Sequence, residues 1–157
     1  MVQMKVLTPN DWGLWRELRL AALRESANAF GAVLTDWQGD GDREERWRQR
    51  LTTVSFNVVA DLNGAPAGMV SGAVNPPDIE LISLWVAPFA RGKGVGAQLV
   101  ETVVHWARGQ QAARVILSVK THNIPAIRLY RRQGFIEVGP SQESEPGSPE
   151  TLFVRHL

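Results

Sequence analysis

Apolar positions along this chain recur at two spacings, and the switches between them divide it into helical and extended stretches. Trp12, Trp15, Leu18, Ala22 and Leu23 fall three and four residues apart, with Arg16, Glu17, Arg24 and Glu25 elsewhere on the wheel. That pattern predicts an amphipathic helix ending near Ser26. Thr8-Pro9-Asn10-Asp11 marks its start with a capping hydroxyl, a first-turn proline and an acid at the third position. Ala27 to Gly41 has no clear period and reads as loop. Asp42 is placed to cap a second helix over Glu44 to Thr52, whose charged residues surround Trp47 and Leu51.

From Ser55 the period shortens. Phe56 to Asp61 and Gly68 to Val74 read as strands joined through Asn63-Gly64, the favoured pair for a two-residue primed turn. Asn75-Pro76-Pro77-Asp78 breaks the chain before a third, more apolar run, Ile79 to Val86. Gly94 to Gln110 is predicted helical, with Val95, Leu99, Val103 and Trp106 on one stripe and Gly109 able to end it. Arg114 to Val119 is apolar enough to be a strand buried on both faces. Pro125 opens a short helix that Gly134 closes, and Phe135 to Val138 and Thr151 to Arg155 are closing strands around a Ser-, Pro- and Glu-rich connection, residues 139–150. The order of elements implies one mixed α/β (α+β) domain over residues 1–157, with neither repeat nor linker.

Composition narrows the chemistry. With 157 residues, 44% hydrophobic and 21% charged, the chain is an ordinary globular length and balance. It has no cysteine, which removes disulfides, thiolate zinc sites and cysteine nucleophiles, and its three histidines are too scattered to suggest a metal site. No run approaches the roughly 18 apolar residues that span a bilayer, and the polar start does not read as a signal peptide. A soluble cytoplasmic protein is expected.

The formal net charge of +1 conceals a strong division. Residues 91–132 carry eight basic residues against the single acid Glu101, a net of +7, which leaves −6 for the rest. A basic half attracts polyanions such as a coenzyme, a nucleotide or a nucleic acid. Solvated helix faces would account for the same arginines.

Within that segment, Leu84-Trp85-Val86 leads through Arg91-Gly92-Lys93-Gly94-Val95-Gly96 into a helix. A helix start offers unpaired N–H groups and the positive end of the dipole, and glycines let an anion approach the backbone, so this reads as a phosphate cradle. No Gly-Lys-Ser/Thr follows and the dinucleotide Gly-x-Gly-x-x-Gly is absent, which leaves a phosphate-bearing coenzyme gripped mainly by backbone.

Arg91 to Gly96 resembles the Arg/Gln-x-x-Gly-x-Gly/Ala signature of the GNAT superfamily of acyl-CoA-dependent N-acyltransferases. About thirty residues on, Asn123-Ile124-Pro125-Ala126-Ile127-Arg128-Leu129-Tyr130-Arg131-Arg132-Gln133-Gly134-Phe135 resembles that family's Asn-x-x-Ala-x-x-Leu-Tyr-x-x-x-Gly-Phe. The resemblance covers essentially the full chain. It implies a central mixed, mostly antiparallel sheet of six to seven strands with about four helices, and a parallel strand pair splayed around the coenzyme.

The same resemblance implies acetyl-CoA as co-substrate. Arg91, Gly92, Lys93, Gly94, Val95 and Gly96 match the pyrophosphate site, Leu84, Trp85 and Val86 the strand beside the pantetheine arm, and Asn123 and Ala126 further coenzyme contacts. Tyr130 matches the family's frequent general acid, which protonates the leaving sulfur, while packing between helix and sheet is its other reading. Glu80, six residues before Val86, is a candidate base for the amine, alongside a solvent-face role. His122 is its rival.

By analogy with the family, Phe30 to Trp37 and residues 139–150 form the acceptor wall, where Glu143, Glu145 and Glu150 would favour a cationic amine. The activity so implied is acetyl transfer to a primary amine, on a small molecule or a protein, by direct attack in a ternary complex. A non-catalytic acyl-CoA-binding domain of the same fold is the alternative. Family members are often dimers, so a homodimer is implied. Metal, membrane and nucleic-acid partners are not expected, since Trp106 and Tyr130 fall on apolar helix faces rather than among the arginines.

Overall fold

Thr8 opens the first helix as the sequence predicts. Its hydroxyl accepts the Asn10 N–H at 3.3 Å and its own N–H donates to the Asp11 carboxylate at 2.8 Å, a reciprocal cap. In this computed structural model, which describes residues 1–26, 34–142 and 144–157, a single turn over Pro9–Asp11 continues into α1 (Trp12–Ser26). The remaining helices are α2 (Glu44–Thr53), α3 (Val95–Gly109) and α4 (Ile124–Arg132). Residues 34–37 and 39–41 form short 3-10 turns.

Seven strands make one sheet: β1 (Val2–Val6), β2 (Phe56–Leu62), β3 (Ala65–Asn75), β4 (Asp78–Val86), β5 (Arg114–Lys120), β6 (Ile136–Pro140) and β7 (Glu150–His156), in the spatial order β1-β2-β3-β4-β5-β7-β6. Every neighbouring pair is antiparallel except β4 and β5. The mixed, mostly antiparallel architecture with four helices is the one expected. Asn63 (φ +53°) and Gly64 (φ +92°) supply the two left-handed residues of the β2–β3 turn.

Helices cover both faces. On one, α3 and α4 bury Val95, Leu99, Val103 and Ile127 against Val58, Val70, Ile79, Leu117 and Phe153. On the other, α1 and α2 bury Trp15, Leu18, Trp47 and Leu51 against Val59, Met69 and Trp85. Trp15 and Trp47 are both wholly buried, so this second layer is anchored by two indoles.

Two expectations are corrected. Asp42 does not cap α2: Arg43 takes the cap position with no side-chain bond to the helix. The Asp42 carboxylate is instead gripped by Arg16 through Nε (2.7 Å) and Nη2, and accepts the Trp47 indole N–H at 2.8 Å. A bidentate guanidinium outcompetes a lone backbone N–H for a carboxylate. Nor is β5 buried on both faces. Val115, Leu117 and Val119 are buried, whereas Arg114, Ile116, Ser118 and Lys120 are only half-buried, Ser118 and Lys120 because they border an open cleft.

Candidate active site

Strands β4 and β5 run side by side for two residues only. Ile79 pairs with Val115 and Glu80 with Ile116, and among the described residues the ladder goes no further. Their closed end is pinned: Arg114 grips the buried Asp78 carboxylate through Nε (3.1 Å) and Nη2 (2.8 Å), and the Ala113 N–H donates to the Pro77 carbonyl at 2.9 Å. Beyond Glu80 the strands part. The cause lies across β4, where the pairing with β3 steps from Ser71↔Ile82 to Met69↔Trp85, leaving one extra residue on β4. Ser83 absorbs it at φ +60°, and this bulge turns the end of β4 away from β5.

The opening is the floor of a cleft of about 1440 Å³. Leu84, Trp85 and Val86 line it from β4, and Ser118, Val119 and Lys120 from β5. The glycine-rich turn closes one end, with Gly92 (φ +74°) and Gly94 (φ +79°) in conformations that disfavour any side chain. Gly94 is the residue before α3, and no side chain caps that helix. Its first-turn residues Val95, Gly96 and Ala97 line the cleft with no side-chain cap on their N–H groups, the arrangement that receives an anion. Gly96 is needed for another reason: a Cβ there would stand 3.1 Å from Leu129 Cδ2, so it sets how closely α3 and α4 approach.

The expected coenzyme residues are distributed unevenly around this cradle. Arg91, Gly92, Gly94, Val95, Gly96, Asn123 and Ala126 line the cleft, while Lys93 is exposed and lies outside its wall. The Arg91 guanidinium is turned back, with Nε on the Val86 carbonyl at 3.0 Å and Nη2 on the Glu25 carboxylate. Asn123 caps α4, its Oδ1 accepting the Ala126 N–H at 3.3 Å, so the capping reading of this residue holds.

Tyr130 and Glu80 line the same cleft. Tyr130 is buried, edge-on to Phe135 at 5.9 Å, and burial pushes its phenol pKa well up. It thus stays protonated at neutral pH. Glu80 is half-buried on the α1–α2 face, whereas His122 is exposed and outside the wall. Trp37, Glu145 and Glu150 line the cleft from the expected acceptor side; Phe30 and Glu143 lie outside the described residues.

Sequence reasoning missed Arg19, Arg50 and Ser83, all in the wall. Arg19 follows Trp15 by four residues and Arg50 follows Trp47 by three, so a wheel drawn on the two buried indoles would have placed both guanidinium groups on the inward sides of their helices. Ser83 carries no such signal. Among the described residues no group of three or more His, Asp or Glu is placed to hold a metal, and no helix is long and apolar enough to cross a membrane.

Residues 17–135 match the model of the Acetyltransferase (GNAT) family. The chain belongs to that family. It is 39% identical over 101 residues to a streptothricin acetyltransferase of Streptomyces lavendulae, covering 64% of this chain and 52% of the relative. The chain spans less than two thirds of the length of the curated relatives it matches, and about half of that streptothricin acetyltransferase. Among solved structures, a GNAT-family acetyltransferase from Streptococcus pneumoniae superposes with a TM-score of 0.76 at 20% identity, each chain covered in full. The PaiA N-acetyltransferase of Thermoplasma acidophilum, solved in complex with coenzyme A, gives 0.76 at 15% identity over 100% of this chain and 99% of that one. These two likenesses establish the fold.

Proposed function

We propose that this GNAT-family chain is an acetyl-CoA-dependent N-acetyltransferase that moves an acetyl group to a primary amine by direct attack in a ternary complex. The observation that carries the reading is the short β4–β5 ladder. Two parallel strands pinned at one end by Asp78–Arg114 and parted at the other leave the backbone edge of residues 81–86 without a strand partner, at the foot of a helix start. A slender chain ending in phosphates fits that shape: its arm pairs with the free edge and its phosphates meet the N–H groups of the first turn of α3.

Acetyl-CoA, when bound there, supplies an activated thioester. Backbone N–H groups near Trp85 and Val86 polarise the carbonyl as the nitrogen attacks its carbon. Glu80 takes the proton that the ammonium must lose before attack, directly or through water. As the carbon–sulfur bond breaks, the Tyr130 hydroxyl, held neutral by burial, gives a proton to the sulfur, and the second proton shed by the nitrogen restores the phenol through water.

The thermal midpoint of the purified protein in matched acetyl-CoA, CoA, ATP and NAD tests the binding half of this reading. Acetyl-CoA and CoA alone should raise it, since a ligand at about 100 times its dissociation constant adds roughly 2.7 kcal/mol. Thiol release with an amine panel then separates an enzyme from a domain that only binds acyl-CoA. For the base, Glu80→Gln should lower turnover about 100-fold near neutral pH and recover as the pH rises toward the pKa of the amine. A loss independent of pH would remove that role from Glu80.

A further inference from the structure

Within β4 a single residue, Ser83, holds a left-handed backbone, and the side chains on either side of it show what that does. Before it, Ile79 and Leu81 join the core beneath α3; after it, Leu84 and Val86 do, and Trp85 turns to the α1–α2 layer. Core-facing positions are odd before Ser83 and even after it. The extra residue therefore resets which side of the strand meets which helices.

A bulge residue in this conformation is commonly glycine, because a Cβ crowds the neighbouring carbonyl. Here it is a serine whose hydroxyl is claimed. Arg50 Nη2, from α2, donates to Ser83 Oγ at 3.3 Å and to Ser71 Oγ at 3.2 Å, and Nη1 donates to Asn57 Oδ1 at 2.9 Å. Ser71 is the β3 residue opposite Ile82, the last rung before the register steps. Arg50 thus bonds both sides of the step.

The guanidinium is itself well anchored. Asn57 and Ser71 are buried and joined to each other, Ser71 Oγ to Asn57 Oδ1 at 2.6 Å, and Asn57 Nδ2 donates to the Val54 carbonyl at 2.8 Å, just past the end of α2. The Trp15 ring lies 4.9 Å from the guanidinium carbon. A planar fork can serve β2, β3 and β4 together in a way that a single ammonium cannot.

We infer that Arg50 is a positioning residue for acetyl transfer: by holding the Ser83 hydroxyl it sets the left-handed turn of the β4 bulge, and with it the direction of the backbone groups of residues 84–86 that meet the coenzyme. It acts through Ser83 and needs no contact with either substrate. This rests on the acetyltransferase reading above and adds what fixes the strand edge on which that reading depends.

Hydrogen exchange at the amides of residues 82–86 in the ligand-free protein reads the bulge, and calorimetry with CoA reads its consequence. Arg50→Lys should speed that exchange about tenfold or more relative to β7 and weaken CoA about tenfold. In a Ser83→Gly background the left-handed turn no longer depends on a held hydroxyl, so the same Arg50→Lys change should weaken CoA about twofold or less. A role confined to the stability of α2 would give equal losses in both backgrounds. Ser83→Ala, which keeps the Cβ and loses the hydroxyl, makes the test decisive if Arg50→Lys fails to fold: it should bind CoA about threefold or more weakly than both the parent and Ser83→Gly. CoA affinity within about twofold of the parent in folded Arg50→Lys, or in Ser83→Ala where that variant stands in for it, or equal losses in the two backgrounds, would overturn the positioning role and leave the acetyltransferase standing. A parent protein that binds no CoA would overturn the acetyltransferase reading and the positioning role with it.

Discussion

The Glu25 carboxylate at the end of α1 receives the Arg91 guanidinium from the glycine-rich turn, and the same Oε1 accepts the Trp85 indole N–H at 3.1 Å. One acid thus ties α1 to both the glycine-rich turn and the bulged strand. The pair is open to solvent, with 51% of the Arg91 side chain and 33% of that of Glu25 exposed, so its worth is modest. Glu25→Gln and Arg91→Ala should each cost little, and the double variant should show a coupling of about 0.5 kcal/mol in urea unfolding, fading in high salt. Strictly additive effects would mean the contact is not maintained in solution.

Tyr130→Phe removes only a hydroxyl from a ring that is packed on Phe135. Turnover should fall about 100-fold while coenzyme affinity, read by calorimetry, stays within about twofold. Equal turnover in variant and parent would return Tyr130 to a packing role.

Gly94 and Gly13 separate backbone conformation from space, since a Cβ at either meets nothing within 4 Å. Gly94 holds φ +79°, whereas Gly13 lies in the first turn of α1 without a positive φ. Gly94→Ala should cost about 1–2 kcal/mol in stability and weaken CoA binding about tenfold as the first turn of α3 shifts. Gly13→Ala should stabilise by about 0.5 kcal/mol and leave CoA binding unchanged. Equal behaviour of the two variants would remove the conformational role of Gly94.

Asp42 links stability to acid pH. Arg16 and the Trp47 indole hold its carboxyl at about 2 against an ordinary value of 3.8. A depressed folded-state pKa stabilises the protein above the unfolded value, so this contribution is complete above about pH 5 and lost as pH falls from about 4 toward 2. Asp42→Asn should lower stability by about 1–2 kcal/mol at neutral pH and flatten that acid limb, measured as urea midpoints from pH 6 down to pH 2. An unchanged limb would show that other carboxylates govern acid unfolding.

What the sequence makes legible is whatever rests on neighbouring residues. The Thr8 cap, the Asn63-Gly64 turn and the stripe of α3 are local chemistry, and each stands where its signal placed it. Asp42 misled because its partner Arg16 lies 26 residues away, beyond any local rule. The β4 bulge is invisible for a related reason. It is a mismatch of register between two strands, and the residue that absorbs it is a serine, with no preference for a positive φ to announce it. Arg19 and Arg50 do carry a signal, since each lies three or four residues from a buried indole on its own helix, but an apolar stripe alone does not single them out.

The parted strands also bear on how the molecule holds together. With only two rungs between β4 and β5, the sheet is two leaves, β1 to β4 and β5 with β7 and β6, joined along a seam. Helix α3 lies across that seam, touching β2, β3 and β4 on one leaf and β5 on the other, and acts as the beam that keeps the leaves from swinging. On the proposed function, a coenzyme arm pairing with the open edge of β4 while its phosphates sit on the start of this beam would take the place of the missing rungs, so that loading the protein would also mend its sheet.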